Sequence, residues 1–196
     1  MRKAEVARKT SETDIRILLD IDSPVKSDIH SGVPFLDHML DSMSRHGRFH
    51  VGITCAGDLK VDDHHSVEDV GIALGEAFRK AAGDKAGITR FGESVVPMDD
   101  ALVLAACDIS GRGYFKYTGS PLNGCIGTYN CELTVEFFRS FAVNFGINLH
   151  IRLLDGDNRH HIHEAIFKSV GISMGRALAP DPSALGKVPS TKGSLQ

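Results

Sequence analysis

Phe49-His50-Val51-Gly52-Ile53-Thr54-Cys55 leads into His64-His65-Ser66-Val67-Glu68, and the second half repeats the plan with Ile147-Asn148-Leu149-His150-Ile151-Arg152-Leu153 leading into His160-His161-Ile162-His163-Glu164. In each pair the first member alternates apolar residues with others, the period of a strand buried on one face. The second opens a stretch with helical spacing, shown by Val67, Val70, Leu74, Phe78 and Ala81. Residues three and four apart share a helix face, so Glu68 lies beside His64 or His65. Imidazole nitrogen with carboxylate oxygen suits zinc, manganese or iron. A repeat kept for packing alone would reproduce the apolar face; it has no reason to reproduce His-His-x-x-Glu.

Working outward, Asp14–Ile21 alternates as a strand through Ile15, Ile17, Leu19 and Ile21. The segment from Pro34 reads as a helix with proline in its first turn and Gly47 at its end. The helix from about His64 to Ala82 stops at Gly83. In the second half, Ala101–Cys107 and Tyr114–Tyr117 read as strands and Leu133–Phe145 as a helix. A last helix runs from about His160 to Ala179, where Pro180 stops it. The repeats span about 10–86 and 96–180, with a tail at 181–196, in one domain. Superposing them sets His38 opposite Glu136, so each half offers one candidate ligand from its first helix and three from its second.

With 42% hydrophobic and 24% charged residues, the 196-residue chain has material for a buried core. A net charge of −3 gives no reason to expect nucleic acid or a membrane surface as partner. Cys55, Cys107, Cys125 and Cys131 lack Cys-x-x-Cys spacing and read as reduced thiols, which places the protein in the cytoplasm. Residues 1–9 lack the apolar core of a signal peptide, and no run reaches the length of a membrane span.

The candidate ligands are His38, His64, His65, Glu68, Glu136, His160, His161 and Glu164. Eight are too many for one ion and suit two ions of four protein ligands each, with open positions for substrate. Six-coordinate manganese fits a nitrogen-rich site that must admit substrate; zinc more often stops at four ligands. Asp37, Asp62, Asp63 and Asp69 are candidates to orient the imidazoles. Arg90, Arg112, Ser190 and Lys192 stand beside glycines in loop-like stretches, the setting in which a phosphate or carboxylate is held. Lys168 follows Glu164 by one helical turn and points the same way.

Several segments together resemble the imidazoleglycerol-phosphate dehydratase family. They are Gly32-Val-Pro-Phe-Leu-Asp-His-Met-Leu, Asp62-Asp-His-His-Ser-Val-Glu-Asp, His160-His-Ile-His-Glu-Ala-Ile-Phe-Lys, Arg90-Phe-Gly, Asp108-Ile-Ser-Gly-Arg and Pro189-Ser-Thr-Lys-Gly. The likeness runs through nearly the whole chain. It implies an α+β fold built from a duplicated half, with helices packed between two roughly four-stranded sheets. It implies loss of water from imidazoleglycerol phosphate to give imidazoleacetol phosphate, a step of histidine biosynthesis, with two Mn2+ per chain. One ion would take His64, Glu136, His160 and Glu164, the other His38, His65, Glu68 and His161. Glu136 and Ser42 depart from the family, where relatives often carry histidine and glutamine. Glu12 matches the glutamate that moves the carbon proton. His46 and Lys168 match further residues of the catalytic pocket, and Arg90, Arg112, Lys168, Ser190 and Lys192 match residues that hold substrate, chiefly its phosphate.

The resemblance also implies a shell of 24 copies, with metal and substrate at their contacts. The tail, poor in apolar residues, is expected to dock on a neighbouring copy. Many relatives carry a fused phosphatase, for which this chain has no length to spare. Two rivals use the same ligands: a di-metal hydrolase, which would release phosphate, and a non-catalytic metal store, which would not need Glu12, Arg112 or Lys192.

Overall fold

Thr13, Ile15, Ile17 and Leu19 point inward along strand β2 (Thr13–Asp20) while their neighbours face out. The alternation lets one face of a sheet cover a core. The computed structural model describes residues 2–184 and 186–195. In it, β2 pairs antiparallel with β1 (Lys3–Lys9) and with β4 (His50–Gly57), and β4 pairs parallel with β3 (Asp28–His30). Helix α1 (Pro34–Gly47) connects β3 to β4, and α2 (His64–Ala82) follows β4.

The second half has the same wiring. Strands β5 (Phe91–Met98), β6 (Ala101–Asp108) and β7 (Tyr114–Thr118) come first. A small hairpin, β8 (Cys125–Ile126) and β9 (Tyr129–Asn130), precedes α3 (Leu133–Phe145), β10 (Asn148–Asp155) and α4 (Arg159–Leu178). The sheets are ordered β1-β2-β4-β3 and β5-β6-β10-β7, so equivalent strands occupy equivalent places. The duplicated α+β architecture expected above is therefore present, with four helices between two four-stranded sheets.

Helices α1 and α2 cover the first sheet, and α3 and α4 the second. The halves then meet through α2 on α3 and α1 on α4. Glycine sets how closely these pairs approach. A Cβ on Gly75 would lie 2.6 Å from Phe141 O, and one on Gly171 would lie 2.3 Å from Met43 O. Neighbouring Gly71 meets Phe137 O and Gly175 meets Gly47 O, so partners in each pair run in the same direction. Phe78 of α2 packs edge-on against Phe49 and Phe141, at centroid distances of 5.0 and 5.5 Å, joining the first sheet to α3.

Three strands of the two large sheets, β1, β3 and β5, were not read from the sequence, nor was the small hairpin. Only Val6 of β1 is fully buried, and β3 is short and polar. Strand β5 turns Gly92, Ser94 and Val96 inward, because a Cβ at residue 92 would strike Ser173 O of α4 at 1.9 Å. The tail also makes contacts within its own chain. Gly87 N donates to Lys187 O, Arg90 Nη1 to Pro189 O and Lys85 Nζ to Leu195 O. Among the described residues, all four cysteines are free. No described helix is long and apolar enough to cross a membrane.

Candidate active site

Helix α4 begins where Asn158 Oδ1 accepts from the backbone N–H groups of His160 and His161. That cap fixes the first turn, from which the second His-His-x-x-Glu projects. His38, one turn into α1, meets it across the helix pair. One ligand atom each from His38, His160 and Glu164 lie within 4.8 Å of one another. Lys168 Nζ sits 2.7 Å from Glu164, one turn further on. Burial pushes the Glu164 carboxyl up, but the Lys168 hydrogen bond and charge, with His38 and His160 nearby, hold it below its ordinary value. An ionised carboxylate beside two imidazoles is a donor set that manganese or zinc accepts, so these residues fit a metal ion.

The remaining residues of the motif divide into partners and supports. His161 Nδ1 contacts Asp100 at 2.5 Å, and its Nε2 lies 3.5 Å from Asp99, both on the β5–β6 turn. Asp100 also accepts from Asn158 and Asp157 N–H groups, and these bonds, with the His161 contact, hold its carboxyl far below the usual range. His163, by contrast, is core. It is 1% exposed, contacts Arg159 O at 2.7 Å, and is held below its ordinary pKa by burial.

The first half offers an equivalent arrangement at the start of α2. His64 Nε2 lies 3.7 Å from Glu68. His64 also shares a groove of about 230 Å³ with Glu136 of α3, walled by Asp62, Asn130 and Glu132. Glu136 is turned onto Arg139, whose Nη1 reaches both of its oxygens. His65 contacts Asp58 at 3.0 Å and Glu12 at 3.8 Å, and the Asp58 hydrogen bond raises its pKa. Glu12 thus occupies the β1–β2 turn as Asp99 occupies the β5–β6 turn.

The acids proposed to orient imidazoles mostly do something else. Asp37 accepts from Ser31, and Asp69 pairs with Arg8 and accepts from Thr13. Asp62 accepts the His64 backbone N–H, and Asp63 makes no side-chain cap bond. Asp58 and Asp100 hold the imidazoles instead. Asp100 is 61 residues from His161, a distance at which sequence spacing carries no signal.

The anion-binding candidates lie elsewhere in the chain. Arg90 pairs with Asp108 at 2.8 Å and holds the tail at Pro189, next to Ser190. Arg112 is on the loop after Asp108, its N–H bound to Ser110 Oγ, and Lys192 N donates to Ser190 Oγ. All belong to the end of the second sheet where β5 begins, since Phe91 pairs with Asp108. Lys168 Nζ, 3.4 Å from Met98 Sδ, is at the other end of β5. His46, at the far end of α1 from His38, lines a cavity of about 730 Å³ with Arg2, Arg45, Arg48 and Arg176.

Comparison with known proteins places the chain in a family. The family model for imidazoleglycerol-phosphate dehydratase (IGPD) matches residues 31–174. The imidazoleglycerol-phosphate dehydratases of Dinoroseobacter shibae and Cereibacter sphaeroides are 51% and 50% identical over 195 residues, covering 100% of both chains. Crystal structures of the enzymes from Staphylococcus aureus and Pyrococcus furiosus superpose with TM-scores of 0.82 and 0.83 at 35% and 36% identity. They cover 91% and 97% of this chain and 99% and 100% of their own. With the fold, the repeated motif and full-length relatives in agreement, this chain belongs to the imidazoleglycerol-phosphate dehydratase family, and is a hydro-lyase of histidine biosynthesis acting on a small phosphorylated imidazole.

Proposed function

We propose that the chain removes water from D-erythro-imidazoleglycerol phosphate to give imidazoleacetol phosphate, and that it does so with two manganese ions per chain. The observation that carries the metal reading is the closed trio His38, His160 and Glu164, with a related trio begun by His64, Glu68 and Glu136. His65 and His161 complete the eight candidate ligands. When bound, the ions supply Lewis-acid polarisation and a template for the substrate's imidazole and hydroxyl groups.

The protein's own groups do the rest. The hydrogen to be removed is on a carbon with no neighbouring carbonyl, so a positioned base is needed. Glu12, about half exposed on its turn and 3.8 Å from His65, stands within reach of anything bound between the histidines. Lys168 keeps Glu164 ionised and ready to act as a ligand. Arg90, Arg112, Ser190 and Lys192 supply the charge and hydroxyl groups for the phosphate, whose binding fixes the reacting carbons in place.

A single copy supports this chemistry only in pieces. From Phe91 to Met98 the strand extends about 23 Å, while the substrate spans roughly 10 Å by ordinary bond lengths. The phosphate candidates and Lys168 therefore act on one molecule only if they come from different copies. This is why we also propose a large homo-oligomer, of 24 copies by the family resemblance, with the site shared at contacts. The free thiols fit a reducing compartment, so we assign the cytoplasm.

The test is turnover by metal-stripped protein with and without added manganese, following imidazoleacetol phosphate and inorganic phosphate together. Manganese-dependent ketone without phosphate release is the expected result. Phosphate release would replace dehydration by hydrolysis. Full turnover in the stripped protein would remove the metals from the mechanism.

A further inference from the structure

The two ligand trios occupy equivalent places but are not chemically equivalent. His38, His160 and Glu164 offer two imidazoles and one carboxylate; Glu136, His64 and Glu68 offer one imidazole and two carboxylates. Only the first closes to 4.8 Å among the described residues. In the second, Arg139 Nη1 occupies both Glu136 oxygens, at 2.7 and 2.6 Å. The position equivalent to Arg139 on α1 is Asp41, which pairs with Arg45 and leaves His38 free. One half thus presents a closed, nitrogen-rich trio whose single carboxylate pairs with Lys168, and the other an oxygen-rich trio in which Arg139 holds the Glu136 carboxylate through both oxygens.

We propose that the two metal positions are unequal: the position containing Glu136 fills second, is opposed by Arg139, and discriminates less in favour of zinc over manganese. This rests on the metal reading above and goes beyond it. The inequality survives regrouping of ligands between copies. His64, Glu136, His160 and Glu164 make two imidazoles and two carboxylates, whereas His38, His65, Glu68 and His161 make three imidazoles and one carboxylate. Imidazole favours zinc and carboxylate favours manganese, so replacing one nitrogen by oxygen narrows zinc's inherent advantage. Arg139 is a surface residue one turn from Glu136, and such pairs are weak. Its removal is worth about twofold to fivefold in affinity, enough to read and too little to abolish binding.

The experiment titrates metal-stripped, assembled protein with Mn2+, following free ion by electron paramagnetic resonance, and repeats the titration in competition with Zn2+. Two ions per chain in two affinity classes are expected. R139A should tighten the weaker class about twofold to fivefold, with R139K close to the parent. E136H should bring the classes together and raise zinc preference at the weaker one by on the order of tenfold. E136Q should lose the weaker class, and H38A should damage the tighter class instead. Assembly is checked for each variant by light scattering. Two ions bound with equal affinity, or a weaker class unmoved by R139A, E136H and E136Q, would overturn the inequality and leave the two-metal reading standing. Fewer than two ions per parental chain would overturn both.

Discussion

Replacing Gly171 by alanine tests how the helix crossing builds the first trio. The added methyl would lie 2.3 Å from Met43 O, 3.1 Å from its carbonyl carbon and 3.2 Å from its Cα. All three are main-chain atoms, so no side chain can swing aside. Restoring ordinary contact requires α1 and α4 to part by about 1 Å. Overpacking of this kind costs about 3 kcal/mol at its upper end, while alanine recovers about 1 kcal/mol of helix propensity. The net loss of about 2 kcal/mol corresponds to a fall of roughly 4–8 °C in Tm for a chain of this size. His38 is on the displaced helix, and metal ligands tolerate only about 0.2 Å of error. The tighter manganese class should therefore weaken by about tenfold or more. G75A is the mirror experiment: its methyl would meet Phe141 O at 2.6 Å, so the weaker class should suffer instead. Calorimetric melting and Mn2+ titration of both variants decide the matter. A G171A protein with parental melting and an unchanged tighter class would refute the link from glycine packing to ligand geometry.

Substituting Glu12 by glutamine removes the proposed base while keeping its shape. Turnover should fall by about 10²–10⁴-fold with both manganese classes retained, and near-normal turnover in a steady-state assay would sink the assignment. Asp69 is 7% exposed and receives Arg8 at 2.8 Å and the Thr13 hydroxyl at 2.5 Å. D69A should cost about 1.5–3 kcal/mol, read as a lower urea midpoint with unchanged slope. Asp22 is held below its ordinary pKa by the hydrogen bond from Arg2. Because the folded value is the lower one, its contribution is complete above the unfolded value of about 4 and is lost as pH falls through the folded one. D22N should flatten the acid limb of the stability profile below about pH 4 and lower neutral-pH melting by the same small increment, since the contribution it removes is complete there.

What could be read from the chain follows the reach of local patterning. Strands such as Thr13–Asp20 and Ala101–Asp108 alternate cleanly because one face is buried, and the repeated motif fixed the register between halves. Strand β5 escaped because its inward residues include Gly92 and Ser94, selected by the close approach of α4. The crossing glycines carry no local signal of their role, since it is the facing helix backbone that requires them. All eight candidate ligands sit on the four helices, as the periodicity indicated, but the supporting acids did not follow from proximity in sequence. Asp69, beside the motif, serves Arg8 and Thr13, while Asp100, far from it, holds His161. The grouping of ligands into sites was least legible, since it depends on which helix crosses which.

The asymmetry between the trios has a cause in the one large break in the duplication. A short link joins β3 to α1, whereas residues 119–132 and their small hairpin join β7 to α3. That insertion reaches the other helix pair. Tyr129 packs on Phe35 at 5.1 Å, Phe35 packs edge-on against His160 at 5.4 Å, and His163 fills the space below, facing Cys131 O at 3.3 Å. Arg159 Nε donates to Asn123 O, tying the start of α4 to the same loop. Each contact restricts the rotamers of the His160 motif, so its closure costs little further entropy on metal binding. The His64 motif has Ser66 and Val67 at the matching positions, and the buried Ser66 hydroxyl has no partner among the described residues. Among the described residues His64 meets Glu68 at 3.7 Å and packs edge-on against His65, and Glu136 remains with Arg139. The insertion thus restricts the His160 motif before any ion arrives and leaves the His64 motif freer to adjust, so the two copies of one sequence pattern enter the site with different conformational freedom.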